Sequence, residues 1–437
     1  MEKTTFRIIT LGCKVNQYES AYLREVLLGA GWVEARDREK ADVSIVNTCI
    51  VTGRAAYQSR QALRKAVREN PGGWAAAVGC YAQVFPEELQ EIEGVRLVAG
   101  NREKIRLPAL LMKSVNSGDR LCLREAFMPE EDFDRLPVSR FMDRTRAFLK
   151  VQDGCRSFCS YCIVPYSRGP LRSLEPEDVL TGLRSFAREG YREVVLTGIH
   201  LGKYGVDLRP AVDLKGLLKR IGRERLPLRI RLSSLHPDEI DRELIEMAGS
   251  EGWLCPHFHI SLQSGDDGVL KRMGRQYRAR DFSDLVAVIH ETIPLAAIGV
   301  DLIAGFPGEG PEAFKNTYRL IENLPVSYLH VFPFSARKGT PAADFPDQIR
   351  PGDIKERARE LRRLGQRKRR AFHQSCIGRI LPVLSEGWKN EDTGIARGWT
   401  DNYVPVRFPS PGEERNRILP VLLEKMTPQG VVGKVIS

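Results

Sequence analysis

Short apolar runs alternate with longer amphipathic segments along most of the chain. In the first 115 residues, four apolar runs predict strands, and the segments between them have the spacing of helices. The strands are predicted at 6–11, 43–47, 74–78 and 95–99, and the helices near 18–30, 53–69, 86–92 and 102–113. Such an alternation is typical of a parallel sheet covered by helices.

The alternation returns after a break that is rich in turn-forming residues. Met128-Pro129 and Leu136-Pro137 lie in this break and predict a linker over 116–144. Further strands are predicted at 147–151, 193–196, 228–232, 257–262, 298–303 and 328–332. Each is followed by a helical pattern, and six strand–helix units favour an open or partial barrel.

The last part of the chain changes character. Glycines and prolines, among them Gly387, Gly398 and Pro405, interrupt β-branched runs and predict a small all-β barrel or sandwich. We therefore predict an α/β protein with a parallel α/β sheet domain at 1–115, a linker at 116–144, a partial (βα)6 barrel at 145–372 and an all-β module at 373–437.

Composition and charge narrow the class of protein. The 437 residues are 42% hydrophobic and 28% charged, which excludes wholesale disorder and a fibrous repeat. The apolar runs are far shorter than the roughly 18 residues that a membrane-spanning helix needs, so no membrane partner is expected. The chain begins without the pattern of an export signal, which predicts a cytoplasmic protein. A net charge of +11 permits a polyanionic partner.

Three closely spaced cysteines form the strongest local motif. Cys155, Cys159 and Cys162 follow a predicted strand in the spacing CxxxCxxC. A structural zinc site needs a fourth ligand at comparable spacing, and the neighbouring sequence supplies none. A [4Fe–4S] cluster held by three thiolates keeps one iron open for a small molecule. We predict such a cluster here, with a zinc knuckle or a structural cluster as the alternative.

This motif, with Tyr161 before its last cysteine, resembles the radical S-adenosylmethionine (SAM) superfamily. The resemblance implies that the open iron binds the amino and carboxylate groups of SAM, and that reduction cleaves SAM to a 5′-deoxyadenosyl radical. It also implies SAM contacts at the strand ends, where the alternative for each glycine is a simple turn. The residues assigned to SAM are Tyr161, Thr197, Gly198, Ser233, Gln263 and Asp301.

A second set of cysteines is distant in sequence but similar in position. Cys13, Cys49 and Cys80 each directly follow one predicted strand of the first domain. In an open parallel sheet the carboxyl ends of the strands form the ligand crevice, so three thiols can meet at one edge. Three ordinary buried cysteines are the alternative, since cysteine is among the most buried residue types.

The sequence around these cysteines resembles the methylthiotransferases, a radical SAM group. The similar segments are Leu11-Gly12-Cys13-Lys14-Val15, Asn47-Thr48-Cys49 and Val78-Gly79-Cys80-Tyr81, and the resemblance extends over essentially the whole chain. It implies a second [4Fe–4S] cluster on Cys13, Cys49 and Cys80, which carries the sulfur to be transferred. Cys122, Cys255 and Cys376 match no motif and are interpreted as structural.

The residues after Cys13 indicate a branch of this group. Lys14-Val15 followed by Asn16-Gln17-Tyr18 resembles the branch that methylthiolates C2 of N6-threonylcarbamoyladenosine at position 37 of tRNA, whereas relatives acting on isopentenyladenosine usually carry Gln-Met at the first two positions. The implied partners are the anticodon stem-loop of tRNA, SAM, an electron donor such as flavodoxin or ferredoxin, and a sulfur source. Lys14 could pair with the threonyl carboxylate, and a solvated Lys14 is the alternative.

The terminal module resembles TRAM, a small RNA-binding β-barrel of this family. Just before it, residues 355–370 contain nine basic and two acidic residues, a run that could follow phosphates or form a solvated helix face. Aromatic residues of the module, Trp388 and Phe408 among them, could stack on bases or form its core. The RNA-binding candidates are Arg367, Lys368, Arg369, Arg370, Trp399 and Tyr403.

Three alternatives stay open at this stage. The chain could act on N6-isopentenyladenosine, or it could be a radical SAM enzyme of another reaction type whose first three cysteines hold no cluster. It could also be a cluster-dependent RNA-binding or redox-sensing protein with no enzymatic activity. His236, His257 and His259 are interpreted as hydrogen-bonded residues near strand ends rather than metal ligands.

Overall fold

The computed structural model describes residues 3–36, 39–117, 119–141, 144–388, 394–410 and 415–436, with only the backbone for 116, 117 and 388. The first part is a parallel six-stranded sheet in the order β2-β1-β3-β4-β5-β6. Its strands are β1 (Thr5–Thr10), β2 (Val33–Glu34), β3 (Val43–Thr48), β4 (Trp74–Gly79), β5 (Val95–Ala99) and β6 (Leu121–Leu123). Its helices are α1 (Lys14–Gly29), α2 (Gly53–Glu69), α3 (Cys80–Val84), α4 (Pro86–Gln90) and α5 (Leu107–Ser117).

The central strands of this sheet match the sequence prediction, and its edges do not. Strands β3 and β4 are buried along their whole length, so they appear in the sequence as continuous apolar runs. The edge strands β2 and β6 are short and partly exposed, which leaves little apolar signal. The sheet therefore continues to Leu123, beyond the predicted boundary at residue 115.

The second part is a partial barrel made of two three-stranded parallel sheets, β11-β10-β7 and β12-β13-β14. The strands of these sheets are β7 (Arg146–Lys150), β10 (Glu193–Thr197), β11 (Arg229–Leu232), β12 (His257–Gln263), β13 (Ala297–Ala304) and β14 (Tyr328–Pro333). Strands β8 (Gln152–Asp153) and β9 (Arg172–Ser173) pair with each other in a separate antiparallel sheet. The helices are α6 (Val164–Arg168), α7 (Pro176–Arg188), α8 (Leu214–Arg223), α9 (Arg242–Ser250), α10 (Asp267–Met273), α11 (Ala279–Thr292), α12 (Pro311–Asn323) and α13 (Pro351–Ser375). A bridge between Leu235 and Ile260 joins the two sheets.

Polar residues recur at alternate positions of several barrel strands, as at Arg229 and Arg231 of β11 and His257 and His259 of β12. Successive side chains of a strand point to opposite faces, so the apolar residues between them, such as Val300, pack beneath the helices. The strand register places Glu193 beside Arg146 and Arg229, and Asp301 beside His330. The inner polar set comprises Arg146, Lys150, Glu193, Arg229, Arg231, His257, His259, Asp301, Tyr328 and His330.

The third part is a closed five-stranded β-barrel in the order β15-β16-β17-β19-β18, as the sequence predicts. The strands are β15 (Ile380–Trp388), β16 (Ile395–Thr400), β17 (Pro405–Pro409), β18 (Ile418–Thr427) and β19 (Gly430–Val435). The basic segment before the barrel is the 25-residue helix α13. Within the described ranges, no helix combines the length and the apolarity needed to cross a membrane.

Two buried arginines of β11 attach this C-terminal barrel to the partial barrel. Arg229 donates to the carbonyls of Pro382 and Trp399, both at 2.8 Å, and Arg231 donates to the carbonyl of Asp401 at 2.7 Å. Glu193 accepts from both arginines, at 2.7 and 2.9 Å. The carboxylate of Glu193 therefore orients both guanidinium groups, and each guanidinium group bonds to residues of both barrels.

Removing this carboxylate is expected to destabilise the protein at neutral pH. Burial raises the pKa of Glu193, but Arg231 and Arg229 outweigh it and lower that pKa from 4.5 to about 2. The stabilisation is therefore complete above about pH 4.5 and is lost as the pH falls toward 2. Glu193→Gln should lower the unfolding free energy at pH 7 by about 3 kcal/mol, and the difference from wild type should vanish near pH 2. Urea unfolding of the metal-free chain at several pH values measures this.

Glu243 provides the matched control for that measurement. Hydrogen bonds and charges from Lys215 and Lys219 also lower its pKa to about 2, but the side chain is exposed. Solvent and salt screen an exposed ion pair, so Glu243→Gln should change the unfolding free energy far less. Equal effects of Glu193→Gln and Glu243→Gln would contradict the assigned role of Glu193.

Candidate active site

The first cysteine set lies at the carboxyl ends of three adjacent strands. Cys13 follows β1 and caps α1, Cys49 follows β3, and Cys80 follows β4 and begins α3. Besides burial, the charge of Cys80 raises the pKa of Cys13, and the charges of Cys80 and Cys13 raise the pKa of Cys49, so the three thiols are neighbours. The sheet order β1-β3-β4 thus brings together three residues that are far apart in sequence.

A close backbone approach at Gly12 permits this grouping. Gly12 has a φ of +93°, and a Cβ atom there would lie 2.8 Å from Sγ of Cys49. Any side chain would therefore displace the Cys49 thiol, and L-residues are disfavoured at this backbone conformation. The glycine between β1 and Cys13 keeps two thiols of the set at one edge.

The surroundings of these thiols favour metal ligation. Sγ of Cys80 accepts hydrogen bonds from Nε of Arg168 at 3.2 Å and from Nδ2 of Asn101 at 3.5 Å. Such donors stabilise a thiolate, which is the form that binds metals. Burial raises the pKa of Cys49 to about 12, so a cationic metal centre would offset a large cost of ionising that thiol. The set fits a cluster held by three thiolates.

The second cysteine set lies in the loop between β8 and α6. Sγ of Cys155 lies 3.4 Å from Nδ1 of His200 and accepts from the Ser157 amide. Burial raises the pKa of Cys155, but the hydrogen bond and charge of His200 and the hydrogen bonds of Ser157 together outweigh burial and lower that pKa. Burial raises the pKa of Cys162 to about 12. Cys159 and Cys155 influence Cys162 electrostatically, so these three thiols are also neighbours and fit the same kind of cluster.

A buried network of charges joins the first cysteine set to α6, the helix that follows the second set. Arg168, four residues into α6, donates to Glu19 of α1 at 2.6 Å and to Asp153 at 3.3 Å, in addition to Cys80. Lys150 and Lys104 also pair with Glu19. These side chains are at most 6% exposed. Arg168, on the helix that follows Cys162, therefore contacts the first cysteine set directly.

Five of the residues predicted to contact SAM lie near the second cysteine set or at the strand ends. Tyr161 accepts from Arg275 at 2.6 Å, and Thr197 is buried at the end of β10. Gly198 packs so closely on Gln152 that a Cβ would lie 2.9 Å from it. Oγ of Ser233 is buried without a protein partner, as expected of a group that binds a ligand. Gln263 has a left-handed φ of 72°, and the register of β12 with β13 shifts between Ile260 and Gln263.

The sixth of these residues, Asp301, belongs to a separate hydrogen-bonded group. Its Oδ1 accepts from Nε2 of His259 at 2.8 Å and lies 3.3 Å from Nδ1 of His330, and its Oδ2 accepts from Ser261 at 3.2 Å. These contacts and nearby positive charges outweigh burial and hold the pKa of Asp301 well below its usual range. His259 is therefore hydrogen-bonded, as the sequence predicts.

The predicted RNA-binding residues divide into two groups. Arg367 and Lys368 donate to residues of α12 and its C-terminal end, at Glu322 and Leu324, so their polar groups are engaged within the chain. Arg370 is exposed. Arg369 lies over the ring of Tyr328 at 5.9 Å, and the rings of Trp399 and Tyr403 lie 4.7 Å apart. A cavity of about 200 Å³ is lined in part by Tyr328, His330, Arg369, Trp399 and Tyr403.

Other sequence interpretations have mixed outcomes. Cys255 and Cys376 are buried, whereas Cys122 is exposed on β6. Phe408 is fully buried in the core of the C-terminal barrel, which supports the core alternative for this residue. The side chain of Trp388 lies outside the described residues. His200 and Arg168 contact cysteines, and neither contact is predicted from the sequence. Arg168 follows the cysteine motif within a few residues and His200 follows a barrel strand, and these positions are the sequence signal that points to them.

Comparison with known proteins agrees with this architecture. Residues 5–100 match a model described as uncharacterized protein family UPF0004, and residues 149–321 match the radical SAM superfamily. A radical SAM domain implies the use of SAM and a [4Fe–4S] cluster. The radical SAM methyltransferase TsrM from Kitasatospora setae has a similar structure, with a TM-score of 0.56 at 17% identity over 78% of this chain and 75% of that one. This likeness supports the fold alone.

Curated relatives match the chain over nearly its full length. The threonylcarbamoyladenosine tRNA methylthiotransferase MtaB of Bacillus subtilis is 38% identical over 95% of this chain and 93% of its own. The tRNA-2-methylthio-N(6)-dimethylallyladenosine synthase of Staphylococcus epidermidis is 32% identical over 99% of this chain and 85% of its own. With these identities and both cysteine sets in place, the chain belongs to the radical SAM methylthiotransferase family, in the group of the MtaB proteins.

Proposed function

We propose that this chain methylthiolates C2 of N6-threonylcarbamoyladenosine at position 37 of tRNA. Two observations carry the proposal: three thiols lie at the carboxyl ends of β1, β3 and β4, and Arg168 of α6, the helix that follows the other three cysteines, donates to Cys80 of the first set. The name of the Bacillus subtilis relative supports the substrate, because that identity extends over nearly both chains. We also propose three domains with the sequence-based limits 145–372 and 373–437 for the second and third, and a first domain that extends beyond 1–115 into the predicted linker 116–144 to include β6.

In this proposal the residues divide between two metal centres. Cys155, Cys159 and Cys162 hold one [4Fe–4S] cluster and Cys13, Cys49 and Cys80 hold another. When bound, such clusters supply an electron and an open iron for SAM or for sulfur. A C2–H bond lacks the polarity that acid–base groups exploit, so the reaction needs radical chemistry rather than a nucleophile.

Other side chains position SAM and the cysteine ligands. Ser233 and Gln263 offer hydrogen bonds to the polar edges of SAM, and Tyr161 is held by Arg275 beside the second cysteine set. His200, itself held by Glu239 at 2.5 Å, orients the Cys155 thiolate. The partners in this proposal are the anticodon stem-loop of tRNA, an electron donor such as flavodoxin or ferredoxin, and a sulfur source.

Nucleoside analysis of tRNA tests the function. Deletion of the gene should abolish 2-methylthio-N6-threonylcarbamoyladenosine and leave N6-threonylcarbamoyladenosine in its place, measured by mass spectrometry of digested tRNA. The wild-type gene should restore the product, and a Cys155→Ala copy should not, because that chain lacks one predicted cluster ligand. Loss of the isopentenyl counterpart, with the threonylcarbamoyl product unchanged, would assign the chain to the other substrate.

A further inference from the structure

Arg337 is a half-buried cation at the junction of the sheet domain and the partial barrel. Its Nε is buried without a hydrogen-bond partner, and no carboxylate of the described residues pairs with its guanidinium group. Burial lowers the pKa of Arg337, so the cation is held where its solvation is poor. A buried donor without a partner suits an anion that arrives from outside the chain.

Contacts between two domains hold Arg337 in place. It belongs to the loop after β14, and the amide of Gly53, the first residue of α2, donates to Oγ of Ser335 in that loop at 3.0 Å. A Cβ atom at Gly53 would lie 2.7 Å from this Oγ and 3.2 Å from Nη1 of Arg337. The guanidinium group therefore packs against the N-terminus of the 17-residue helix α2, whose partial positive charge also attracts anions.

The acidic side chain that acts on Arg337 is engaged elsewhere. The charge of Glu88 opposes the effect of burial on Arg337, but its carboxylate lies 3.8 Å from Nη1 of Arg60 and accepts from Tyr81. The charge of Arg60 acts on Arg337 in the opposite direction. The neighbours thus leave the guanidinium group available to a further anion.

A basic face of α2 continues from this junction. The helix carries five basic residues, Arg54, Arg60, Arg64, Lys65 and Arg68, and one acidic residue, Glu69. Four of the basic residues are exposed, and Arg60 is partly buried. A row of cations beside an unpaired arginine suits a chain of phosphates better than it suits a single carboxylate.

We propose that Arg337 binds a backbone phosphate of the substrate tRNA at the start of α2. The inference rests on the proposed function, because it names one place where that same substrate is held. The forked guanidinium group can donate two parallel hydrogen bonds to one phosphate, which would also provide a partner for the buried side chain. The exposed face of α2 would then attract neighbouring phosphates.

Stem-loops with single neutral linkages test this contact. Anticodon stem-loops that carry N6-threonylcarbamoyladenosine, each with one methylphosphonate linkage, are titrated against the cluster-loaded enzyme with SAM, and fluorescence anisotropy gives the dissociation constants. One linkage should weaken binding to the wild type by about 10-fold. Arg337→Gln should weaken the all-phosphate loop by a similar factor and show no further loss at that linkage. Its slope of log affinity against log salt should be smaller by about one.

Matched variants separate this contact from general effects of charge. Arg337→Lys keeps the charge without the fork, so its affinity should be intermediate. Arg54→Gln changes an exposed residue and should fold even if position 337 tolerates no change; it should weaken all loops by about threefold. Arg280→Gln on α11, where the side chain is 87% exposed, should behave as wild type.

Two further loops and the iron content distinguish the possible anions. Loops with N6-dimethylallyladenosine or plain adenosine carry the same phosphates, so Arg337→Gln should weaken them equally. A loss confined to the threonylcarbamoyl loop would assign Arg337 to the carboxylate of that substituent, and a loss of iron would assign it to the first cysteine site. Either result overturns the phosphate site.

The same titrations keep this site and the proposed function apart. Equal affinities of the wild type and Arg337→Gln at every linkage overturn the phosphate site, while the proposed function stands. A wild type that binds only the dimethylallyl loop overturns the proposed substrate, and a loss at one linkage of that loop, absent from Arg337→Gln, still supports the phosphate site.

Discussion

Cys13→Ala is expected to abolish methylthio transfer while SAM cleavage continues. Cys13 is exposed, whereas Cys49 and Cys80 are buried, so its removal should disturb packing least. The variant would lose one of the three thiolates proposed to hold the sulfur-carrying cluster. It would keep Cys155, Cys159 and Cys162, the ligands proposed for the other cluster. Iron should fall from about eight to about four atoms per chain, the difference of one [4Fe–4S] cluster.

Two measurements on the same sample distinguish the sites. Iron and acid-labile sulfide report the number of clusters, and 5′-deoxyadenosine formed under reductant reports SAM cleavage. Cys155→Ala should abolish both 5′-deoxyadenosine and methylthio product, because the open iron that binds SAM is lost with its ligand set. The pair of variants therefore assigns each function to one triad.

Cys122 supplies the control for thiol loss. It is exposed on the edge strand β6, and its pKa is raised by burial, then by the charge of Glu87. Cys122→Ala should keep the full iron content and activity. A wild-type chain with about four irons, unchanged in Cys13→Ala, would instead favour a radical SAM enzyme whose first three cysteines hold no cluster.

The two triads show which features of a site can be predicted from sequence. Cys155, Cys159 and Cys162 are close along the chain, so their spacing predicts a shared ligand. Cys13, Cys49 and Cys80 follow three strands, and because parallel strands share a carboxyl edge, strand prediction alone could place them together. Short spacing determines the first grouping and the periodicity that predicts strands determines the second, and both are visible in a sequence.

The partners of these cysteines could not be predicted in the same way. Arg168 and His200 look like ordinary polar residues, because burial of a charge depends on which domain packs against it. Glu19 is buried in α1, an unusual position for a carboxylate, and its partners Lys104 and Arg168 come from different domains. Spacing rules describe one element at a time, so contacts between domains escape them.

The aromatic residues of the C-terminal barrel illustrate the same limit. Trp399 and Tyr403 were predicted to meet RNA, and the structure places their rings beneath Arg146 and Arg231 of the partial barrel. An aromatic face can stack on a base or on a guanidinium, and sequence alone does not distinguish the two. Their role in RNA binding stays a prediction.

The charge balance around Arg168 leads to the second large effect. Glu19 and Asp153 contribute two negative charges, and Lys104 and Lys150 contribute two positive charges. Arg172 pairs with Glu131 and also with Asp153, so Arg168 adds a fourth cation to these three carboxylates. Its Nε donates to Cys80, which makes thiolate sulfur the natural counter-charge.

Arg168→Met is accordingly expected to weaken both the fold and the first cysteine site. Breaking buried ion pairs with Glu19 and Asp153 should lower the unfolding free energy by about 3 kcal/mol, measured by urea unfolding of the metal-free chain. Iron should fall from about eight toward about four atoms per chain, since Cys80 loses its charged donor. Arg168→Lys keeps the charge but lacks the forked geometry, so it should show intermediate values. Full iron content and unchanged stability in Arg168→Met would show that the two cysteine sites are held independently.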